Sequence, residues 1–393
     1  MEEKNPVVSL VVPTKYRYPY LIKLIDLLRS FNFGEEFELI VQDNNEDNKP
    51  FMEYLEGNPY SRLKYFFDPT PVSIGQNCDN AICHSSGEYV CFIGDDDCVT
   101  RNFMPCIEWM KRNKMECVFP RRIMYYWPDY CDSGDERSAV HYEPFSHEIT
   151  YYDTKETLVE LLESGCVGIA RVPMIYHGIV SKRILDKIWT QCGTYFPGAS
   201  PDISSAVSLC LVIDKYASFK FPIIIAGNSR SGGGGQKIIK HHALTDFSKL
   251  PHLPKNIDEI WCKRIPKIWC NSTIWCESVV EALNTWNRKD LVKRINYERL
   301  YENFAVNYFY YRKMAFALTN NKSRLFFKSL NGIIIKATKD MVKFVLRILH
   351  LHIRDTRIKV FGINNTKELC SRFGMRDIYL MIISIPNLYH VIY

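Results

Sequence analysis

The stretch Gly87-Glu-Tyr-Val-Cys-Phe-Ile-Gly-Asp-Asp-Asp97 decides the fold class of this 393-residue chain. Its short apolar run, residues 89–93, is aromatic and β-branched and follows a glycine, which predicts a buried strand. Three aspartates come directly after this run, where an open α/β sheet presents its ligand crevice. Adjacent carboxylates repel each other unless a cation neutralises them, and Mg²⁺ or Mn²⁺ prefers such oxygen ligands. We therefore predict a divalent metal site here; the alternative is an acidic turn that caps the next helix.

Apolar runs before this stretch predict further buried strands, at residues 7–13, Phe37–Asp43 and Leu63–Phe67. Segments with leucine and isoleucine at helical spacing lie between them, and another helix is predicted at residues 102–113. Strands that alternate with helices of this length predict an α/β fold, in which helices flank a mostly parallel central sheet.

The pattern loosens after residue 118. Aromatic residues, prolines and mixed charges without a period predict an insertion or substrate loop at residues 125–151. A strand is predicted at residues 219–226, and helices are predicted at 154–164, 181–191 and 202–216. We place the end of a catalytic domain near residue 253 and predict a helical, basic C-terminal domain at residues 254–393.

Composition bounds the class of protein. Fourteen scattered cysteines without a Cys-x-x-Cys pair predict reduced thiols rather than a zinc site or a disulfide framework. The polar N-terminus lacks a signal-peptide pattern and no apolar run is long enough to span a membrane, so we expect a cytoplasmic protein. Residues 286–360 carry 17 Lys or Arg against 5 Asp or Glu, although the net charge of the chain is only +6. This asymmetry predicts a C-terminal part that faces an anionic surface.

Four short motifs together carry a resemblance: Leu10-Val-Val-Pro-Thr14, Asp43-Asn-Asn45, Ile74-Gly-Gln-Asn77 and Gly94-Asp-Asp-Asp97. The set resembles the family 2 glycosyltransferases of the GT-A fold, and it is similar to enzymes that build bacterial surface polysaccharides such as O-antigen or capsule. The resemblance covers about residues 6–245 and is specific in the first hundred. It implies a GT-A catalytic domain at residues 1–253, with a nucleotide-sugar half to about residue 120 and an acceptor half after it.

The donor side of the expected site lies on two loops. In an open parallel sheet the loops after neighbouring strands meet at one crevice, which brings Pro13, Thr14 and Arg17 of the first loop beside Asp43 of the second. The resemblance implies a nucleotide-sugar donor, a UDP-sugar by preference, with Asp43 on the nucleoside; the alternative for Asp43 is an Asx turn. Arg17 either contacts phosphate or is a solvated loop charge. Asn77 fits the segment that approaches the donor sugar or the diphosphate.

Asp95-x-Asp97 resembles the metal motif of the family. The resemblance implies that Asp97 binds Mn²⁺ or Mg²⁺ directly and that Asp95 faces the ribose or reaches the metal through water. Asp96 is the ambiguous middle residue on the nucleotide side. His241 or His242, after a run of four glycines, is a candidate for completing the coordination; the alternative is a basic loop that steers diphosphate.

An inverting transfer needs a base for the acceptor hydroxyl. Asp202 matches the position of the family's base, about a hundred residues after the triplet and at the start of a predicted helix. The alternative is a simple helix start, with Ser200 as the cap and Pro201 in the first turn. His177 is predicted to line the acceptor or donor-sugar pocket, and a structural histidine is the alternative.

The C-terminal region holds a basic amphipathic pattern at residues 332–353. It predicts peripheral contact with the inner face of the plasma membrane; the alternatives are a helix packed on its own domain and a homo-oligomer contact. Nucleic acid is not expected as a partner, because no recognition motif accompanies the charge.

Taken together, these features predict an inverting, metal-dependent glycosyltransferase. We expect it to move a hexosyl or N-acetylhexosaminyl group from a UDP-sugar to a hydroxyl of a lipid-linked (polyprenyl) bacterial glycan. One alternative is a sugar-phosphate nucleotidyltransferase, but the chain lacks the glycine-rich basic first loop that a triphosphate requires. The other alternative is a non-catalytic glycan-binding subunit, and the aspartates at every expected place argue against it.

Overall fold

Alternating strands and helices form the first part of the chain in the computed structural model, which describes residues 5–130, 139–169, 171–231, 247, 257–348 and 358–361. In chain order these elements are β1 (Val8–Thr14), α1 (Tyr18–Phe31), β2 (Phe37–Asp43), α2 (Lys49–Gly57), β3 (Leu63–Phe67), α3 (Ile74–Cys83), β4 (Tyr89–Phe92), β5 (Cys98–Val99), α4 (Phe103–Arg112) and β6 (Cys117–Val118).

Short strands and three longer helices make up the next part. The elements are β7 (Arg122–Tyr126), β8 (Ala139–Tyr142), β9 (Ile149–Asp153), α5 (Thr154–Glu163), β10 (Ile179–Ser181), α6 (Lys182–Cys192), α7 (Pro201–Val212), β11 (Lys215–Phe219) and β12 (Ile224–Asn228). The described part that follows is helical apart from one strand: α8 (Ile257–Ile260), α9 (Asn271–Thr285), α10 (Lys289–Val292), α11 (Tyr297–Asn307), α12 (Arg312–Leu318), α13 (Lys322–Ile348) and β13 (Ile358–Phe361).

Within the described ranges, eight strands form one sheet in the order β3-β2-β1-β4-β10-β6-β11-β9. The first four are parallel, β6 and β11 are also parallel to each other, and β10 and β9 run against their neighbours. The predicted α/β class, with a mostly parallel central sheet and a helical C-terminal region, is confirmed. A second sheet has the order β13-β8-β7-β12-β5.

The register of the central strands gathers the functional loops. β1 lies between β2 and β4, with Thr14 opposite Asp43 and Val11 opposite Phe92. Because these strands are parallel, their carboxyl ends meet at one edge of the sheet. The loops after β1, β2 and β4 therefore converge.

Helix caps follow the sequence signals. Ser73 and Gln76 form a reciprocal capping box at the start of α3, and the Asp153 carboxylate accepts two of the first free amides of α5, those of Lys155 and Glu156. These bonds satisfy amide groups that an α-helix leaves without a partner.

Three predicted elements differ from the structure. Residues 125–151, predicted as a loop, contain β8 and the start of β9. The helix predicted at 202–216 ends at Val212, because Ile213 takes an extended backbone and β11 begins at Lys215. The strand predicted at 219–226 divides into the end of β11 and β12. In each case a short strand pairs with residues far along the chain, a contact that local periodicity does not record.

The C-terminal helices pack on α5 and α7. One hydrophobic cluster joins Leu161 of α5 and Val207 of α7 to Leu283 of α9 and Phe304 of α11, and all four side chains are fully buried. This cluster therefore contains residues from both sides of the boundary predicted near residue 253. No helix of the described ranges combines the length and apolarity needed to cross a membrane.

Candidate active site

The aspartate triplet lies between the end of β4 and the start of β5, and it is buried. Asp95, Asp96 and Asp97 are 2%, 5% and 1% exposed. The end of β12 packs directly against them: a Cβ atom on Gly227 would lie 1.8 Å from the Asp96 carbonyl oxygen. Only glycine permits such a close approach of two backbones, so Gly227 is required for the shape of this site.

Asp97 accepts hydrogen bonds from four donors. Its Oδ2 accepts from the Gly94 amide at 2.7 Å, the Tyr176 hydroxyl at 2.8 Å and His177 Nε2 at 2.7 Å. Its Oδ1 accepts from the Gly227 amide at 2.6 Å. Burial by itself would raise the pKa of Asp97, but His177 and the other donors outweigh burial and hold the pKa below its ordinary value. Asp97 is therefore held as a carboxylate.

His177 connects Asp97 to an arginine. Its Nδ1 lies 3.0 Å from Arg122 Nη1. A guanidinium can only donate, so Nδ1 accepts from Arg122 and the Nε2–H group donates to Asp97. The His177 side chain is 3% exposed, and its described contacts are with the metal motif rather than with an open pocket. Its role toward an acceptor stays a prediction.

Arg17 lies between the other two carboxylates. Its Nε is 3.1 Å from Asp95 Oδ1, and its Nη2 is 2.5 Å from Asp96 Oδ2. Nη2 also donates to Ser229 Oγ at 2.7 Å, and that hydroxyl donates to Asp96 at 2.6 Å. Burial raises the pKa of Asp95 to about 7 although Arg17 opposes the shift. Burial likewise raises the pKa of Asp96, again against the effect of Arg17.

The loop after β1 supplies Thr14 as well as Arg17. The Thr14 hydroxyl donates to Asp95 Oδ2 at 2.7 Å, and its carbonyl accepts the Asn44 amide at 3.1 Å. Pro13, one residue earlier in β1, pairs with Gln42 of β2. The structure thus brings the predicted first-loop residues to the triplet, with Thr14 and Arg17 in direct contact with it.

Asp43 is fully buried at the end of β2. Its Oδ1 accepts from both the backbone and the side-chain amide of Asn45, which is an Asx turn. Its Oδ2 accepts from the hydroxyls of Tyr18 at 2.6 Å and Tyr65 at 2.7 Å. These contacts match the alternative reading of Asp43, and its role toward the nucleoside stays a prediction.

Asn77 lies in the first turns of α3 and is 8% exposed. Within the described part of the chain, its buried Oδ1 has no hydrogen-bond donor. A buried carbonyl without a donor costs roughly 1–3 kcal/mol of stability. The energetic cost is removed if a ligand supplies the donor, so this atom is a candidate contact for the donor sugar.

Asp202 occupies the first turn of α7, after Pro201. It is near Tyr176: burial first, and then the charges of Asp97, Asp96 and Asp202, raise the pKa of the tyrosine well above its ordinary value. Tyr176 also donates to Asp97, so the predicted base and the predicted metal motif are both near this tyrosine.

The described carboxylates do not fit a divalent ion in this arrangement. Asp97 already accepts from four protein donors, and Arg17 lies against the oxygens of Asp95 and Asp96. Among the residues that the structure describes, no group of three His, Cys, Asp or Glu side chains is placed to hold a metal. The two predicted histidine ligands, His241 and His242, lie outside the described residues. The Mn²⁺ or Mg²⁺ cofactor therefore stays a prediction.

Comparison with known proteins finds a family match for the segment that contains the aspartate triplet. Residues 9–174 match the family model described as Glycosyl transferase family 2. The chain contains a family 2 glycosyltransferase domain. A 95-residue segment is 34% identical to the GalNAc(5)-diNAcBac-PP-undecaprenol beta-1,3-glucosyltransferase of Campylobacter jejuni. That segment is 23% of this chain and spans 30% of the length of the curated relative.

Two solved structures show a weaker likeness. The crystal structure of S. aureus TarS 1-349 in complex with UDP-GlcNAc has a TM-score of 0.47 and 16% identity, over 79% of this chain and 88% of that one. The mannosyltransferase PcManGT from Pyrobaculum calidifontis, in complex with GDP-Man and Mn²⁺, has a TM-score of 0.39 and 13% identity, over 86% and 88%. Scores below 0.5 establish neither fold nor ligand, and the fold of the glycosyltransferase domain rests here on its sheet order.

Several residues of the candidate site have no counterpart among the sequence predictions. They are Tyr176 and Arg122, which hold Asp97 directly and through His177, and Ser229, which bonds both Arg17 and Asp96. Tyr176 directly precedes the predicted residue His177 in the sequence, and this neighbourhood is the one sequence signal that could have identified it. Arg122 and Ser229 lie on β7 and after β12, and nothing local in the sequence marks them.

Proposed function

We propose that this chain is an inverting glycosyltransferase, which moves a sugar from a UDP-sugar to a hydroxyl of a lipid-linked glycan. The observation that carries the proposal is that Thr14 and Arg17 contact the buried triplet within the segment that matches family 2. The relative from Campylobacter jejuni, which by its name acts on an undecaprenol-linked glycan, supports the acceptor class.

The leaving group sets the first chemical demand. When the bond between the anomeric carbon and the diphosphate breaks, negative charge develops on the nucleoside diphosphate beside three carboxylates. Arg17 is a guanidinium already in contact with two of these carboxylates, and its side chain is 19% exposed, so a diphosphate can reach it. In the same proposal, Asn77 Oδ1 accepts a hydrogen bond from a hydroxyl group of the donor sugar.

The attacking hydroxyl sets the second demand. In an inverting reaction the acceptor oxygen bonds to the anomeric carbon as the diphosphate departs on the opposite face, and a base removes the hydroxyl proton. Asp202 is that base in the proposal, since it lies in the first turn of α7 and its charge acts on Tyr176, which donates to Asp97. The transition state has oxocarbenium character, so nearby carboxylates also stabilise its positive charge. The family expectation of Mn²⁺ or Mg²⁺, with His241 or His242 as a ligand, is retained as a prediction, and the role of Asp202 does not depend on it.

The surface of α13 supports contact with an anionic membrane. We define the α13 apolar face as its described exposed apolar side chains, which are Phe326, Phe327, Leu330, Ile334, Ile335, Met341 and Val342. Residues 322–342 also contain five Lys or Arg and one Asp. Aromatic and aliphatic side chains flanked by basic ones suit the interface of an anionic lipid leaflet. Such contact would bring the enzyme to a lipid-linked acceptor on the inner face of the membrane.

A vesicle assay tests the membrane contact. The chain should sediment with vesicles of phosphatidylglycerol and phosphatidylcholine, and less with phosphatidylcholine alone. Phe327→Glu should reduce the bound fraction, whereas Trp189→Glu, which changes an exposed aromatic residue on α6, should not. Equal binding of both variants and the native chain would remove α13 from the interface. Cross-linking or light scattering of the lipid-free chain tests the homo-oligomer prediction separately.

Donor binding tests the proposed function itself. Saturation-transfer NMR with UDP-, GDP-, CDP- and dTDP-sugars should show ligand signals, strongest for the UDP-sugars. Asp202→Asn should bind the donor as the native chain does, because the base contacts the acceptor hydroxyl and not the donor. A chain that is folded and binds none of these sugar nucleotides would not be a glycosyltransferase of this kind.

A further inference from the structure

The position of Arg17 bears on how the triplet binds a cation. A divalent ion contacts carboxylate oxygens at about 2.0–2.2 Å. The Arg17 nitrogens lie 3.1 Å from Asp95 Oδ1 and 2.5 Å from Asp96 Oδ2. An ion that touched both oxygens would overlap the guanidinium. The two cations therefore exclude each other at these carboxylates.

The electrostatics of the pocket lead to the same exclusion. Asp95 and Asp96 are almost fully buried, and buried carboxylates require a compensating charge. Arg17 supplies it in two ion pairs and is held in place by Ser229. A divalent ion would neutralise Asp95 and Asp96 in place of Arg17. The positive charge of the guanidinium would then lie beside a second cation and be repelled by it. The Arg17 side chain is 19% exposed, so it can leave for solvent without unfolding the sheet.

We propose that Arg17 is the built-in counter-cation of Asp95 and Asp96, and that it competes with a divalent ion for these two carboxylates. With Arg17 between them, as in this structure, the two carboxylates hold a divalent ion weakly, and removal of Arg17 raises that affinity. A diphosphate offers Arg17 an alternative anionic partner; this last step rests on the proposed function, whereas the competition between Arg17 and the metal does not.

Mn²⁺ binding without any nucleotide tests the competition. The loss of the free Mn²⁺ EPR signal gives the dissociation constant for the native chain and for Arg17→Gln. The variant should bind Mn²⁺ at least about tenfold more tightly, in the usual range of coupling between two sites. Lys15→Gln is the matched control, because it removes a neighbouring positive charge that contacts Asn44 and not the triplet. Lys15→Gln should leave the affinity within about twofold of the native value.

Two further measurements keep the outcome decisive. Arg17→Gln with Asp96→Asn should lose the gained affinity, which excludes an ion bound elsewhere on the chain. Mn²⁺ should also raise the unfolding temperature of Arg17→Gln more than that of the native chain, because a ligand stabilises the state that binds it. If Arg17→Gln does not fold, Ser229→Ala, which loosens Arg17, should tighten Mn²⁺ binding in the same direction.

Equal or weaker Mn²⁺ binding by the Arg17 variant would overturn the proposal, and so would a gain that Asp96→Asn leaves intact. None of these titrations contains a sugar nucleotide. A chain without glycosyl transfer activity would therefore give the same Mn²⁺ result, and the failure of either proposal can be recognised separately.

Discussion

Replacement of Asp97 by asparagine tests the hydrogen-bond arrangement at the centre of the site. Asparagine can accept through one oxygen only. If the asparagine oxygen takes the Oδ2 position, the Gly227 amide loses its acceptor and faces the new NH₂ group. If the oxygen takes the Oδ1 position, the Gly94 amide, the Tyr176 hydroxyl and His177 Nε2 lose their acceptor instead. Every remaining bond also loses its ionic partner. Charge-assisted bonds contribute about 1.5–3 kcal/mol each, and breaking a buried ionic arrangement costs about 3–5 kcal/mol.

We therefore expect Asp97→Asn to lower the free energy of unfolding by about 3–5 kcal/mol. Urea unfolding at pH 7, followed by tryptophan fluorescence, measures this value. The pH matters because the folded-state pKa of Asp97 is lowered. The stability that its charge contributes is present above the unfolded pKa and is lost as the pH falls through the folded value.

Asp214→Asn is the control for loss of one carboxylate. Asp214 is 87% exposed and its partner Lys155 is 77% exposed, so solvent screens their ion pair. We expect no measurable change in that variant. If Asp97→Asn also changes stability by less than about 1 kcal/mol, which is the scale of an exposed pair, the four bonds to Asp97 do not hold the site together.

Three other predictions concern single side chains. Gly227→Ala should lower stability by about 1–3 kcal/mol and weaken donor binding, because the new Cβ would lie 1.8 Å from the Asp96 carbonyl oxygen; Gly168→Ala, where the Cβ meets nothing within 4 Å, should be tolerated. Burial raises the pKa of Glu277 to about 7, so the stability that its neutral carboxyl contributes is fully present below the unfolded-state pKa and is lost as the pH rises through 7. Glu277→Gln should be more stable than the native chain by roughly 3 kcal/mol at pH 8 and equal to it at pH 4, and the same effect at both pH values would refute the assignment. Asn77→Leu should match or exceed native stability in urea and yet lose donor affinity, since it removes a buried carbonyl without a donor; unchanged affinity would remove Asn77 from the donor site.

The parallel half of the fold was predictable because its signals are local. The apolar runs of β1, β2 and β4 and the helical spacing of α1 lie within short windows, and Asp153 marks the start of α5 by its side chain. The strands β8 and β9 were missed. They are short and pair across the sheets with β7 and β11, and β9 pairs with residues more than sixty positions away. Their stability comes from those partners rather than from their own sequence.

The site divides in the same way. The triplet was predictable because three carboxylates follow a buried strand. The position of Thr14 and Arg17 near it was predictable because the carboxyl ends of parallel strands converge. The donors that satisfy the triplet come from far along the chain: Tyr176 is 79 residues from Asp97, and Ser229 is 133 residues from Asp96. Only the folded sheet brings them together, and the ion pairs of Arg17 with Asp95 and Asp96 are likewise visible only in the structure.

Transfer itself is the most direct test of the proposed function. The native chain and Asp202→Asn are incubated with UDP-, GDP-, CDP- and dTDP-sugars and with polyprenyl-linked oligosaccharides from bacterial membranes, and release of each nucleoside diphosphate is followed with and without Mn²⁺. The native chain should release UDP in an acceptor-dependent way. The variant should bind the same donor and release at least about a hundredfold less, which is the lower range for loss of a general base. Equal release by the two chains would contradict the role of Asp202, and a native chain that neither binds nor cleaves any sugar nucleotide would contradict the function proposed for this site.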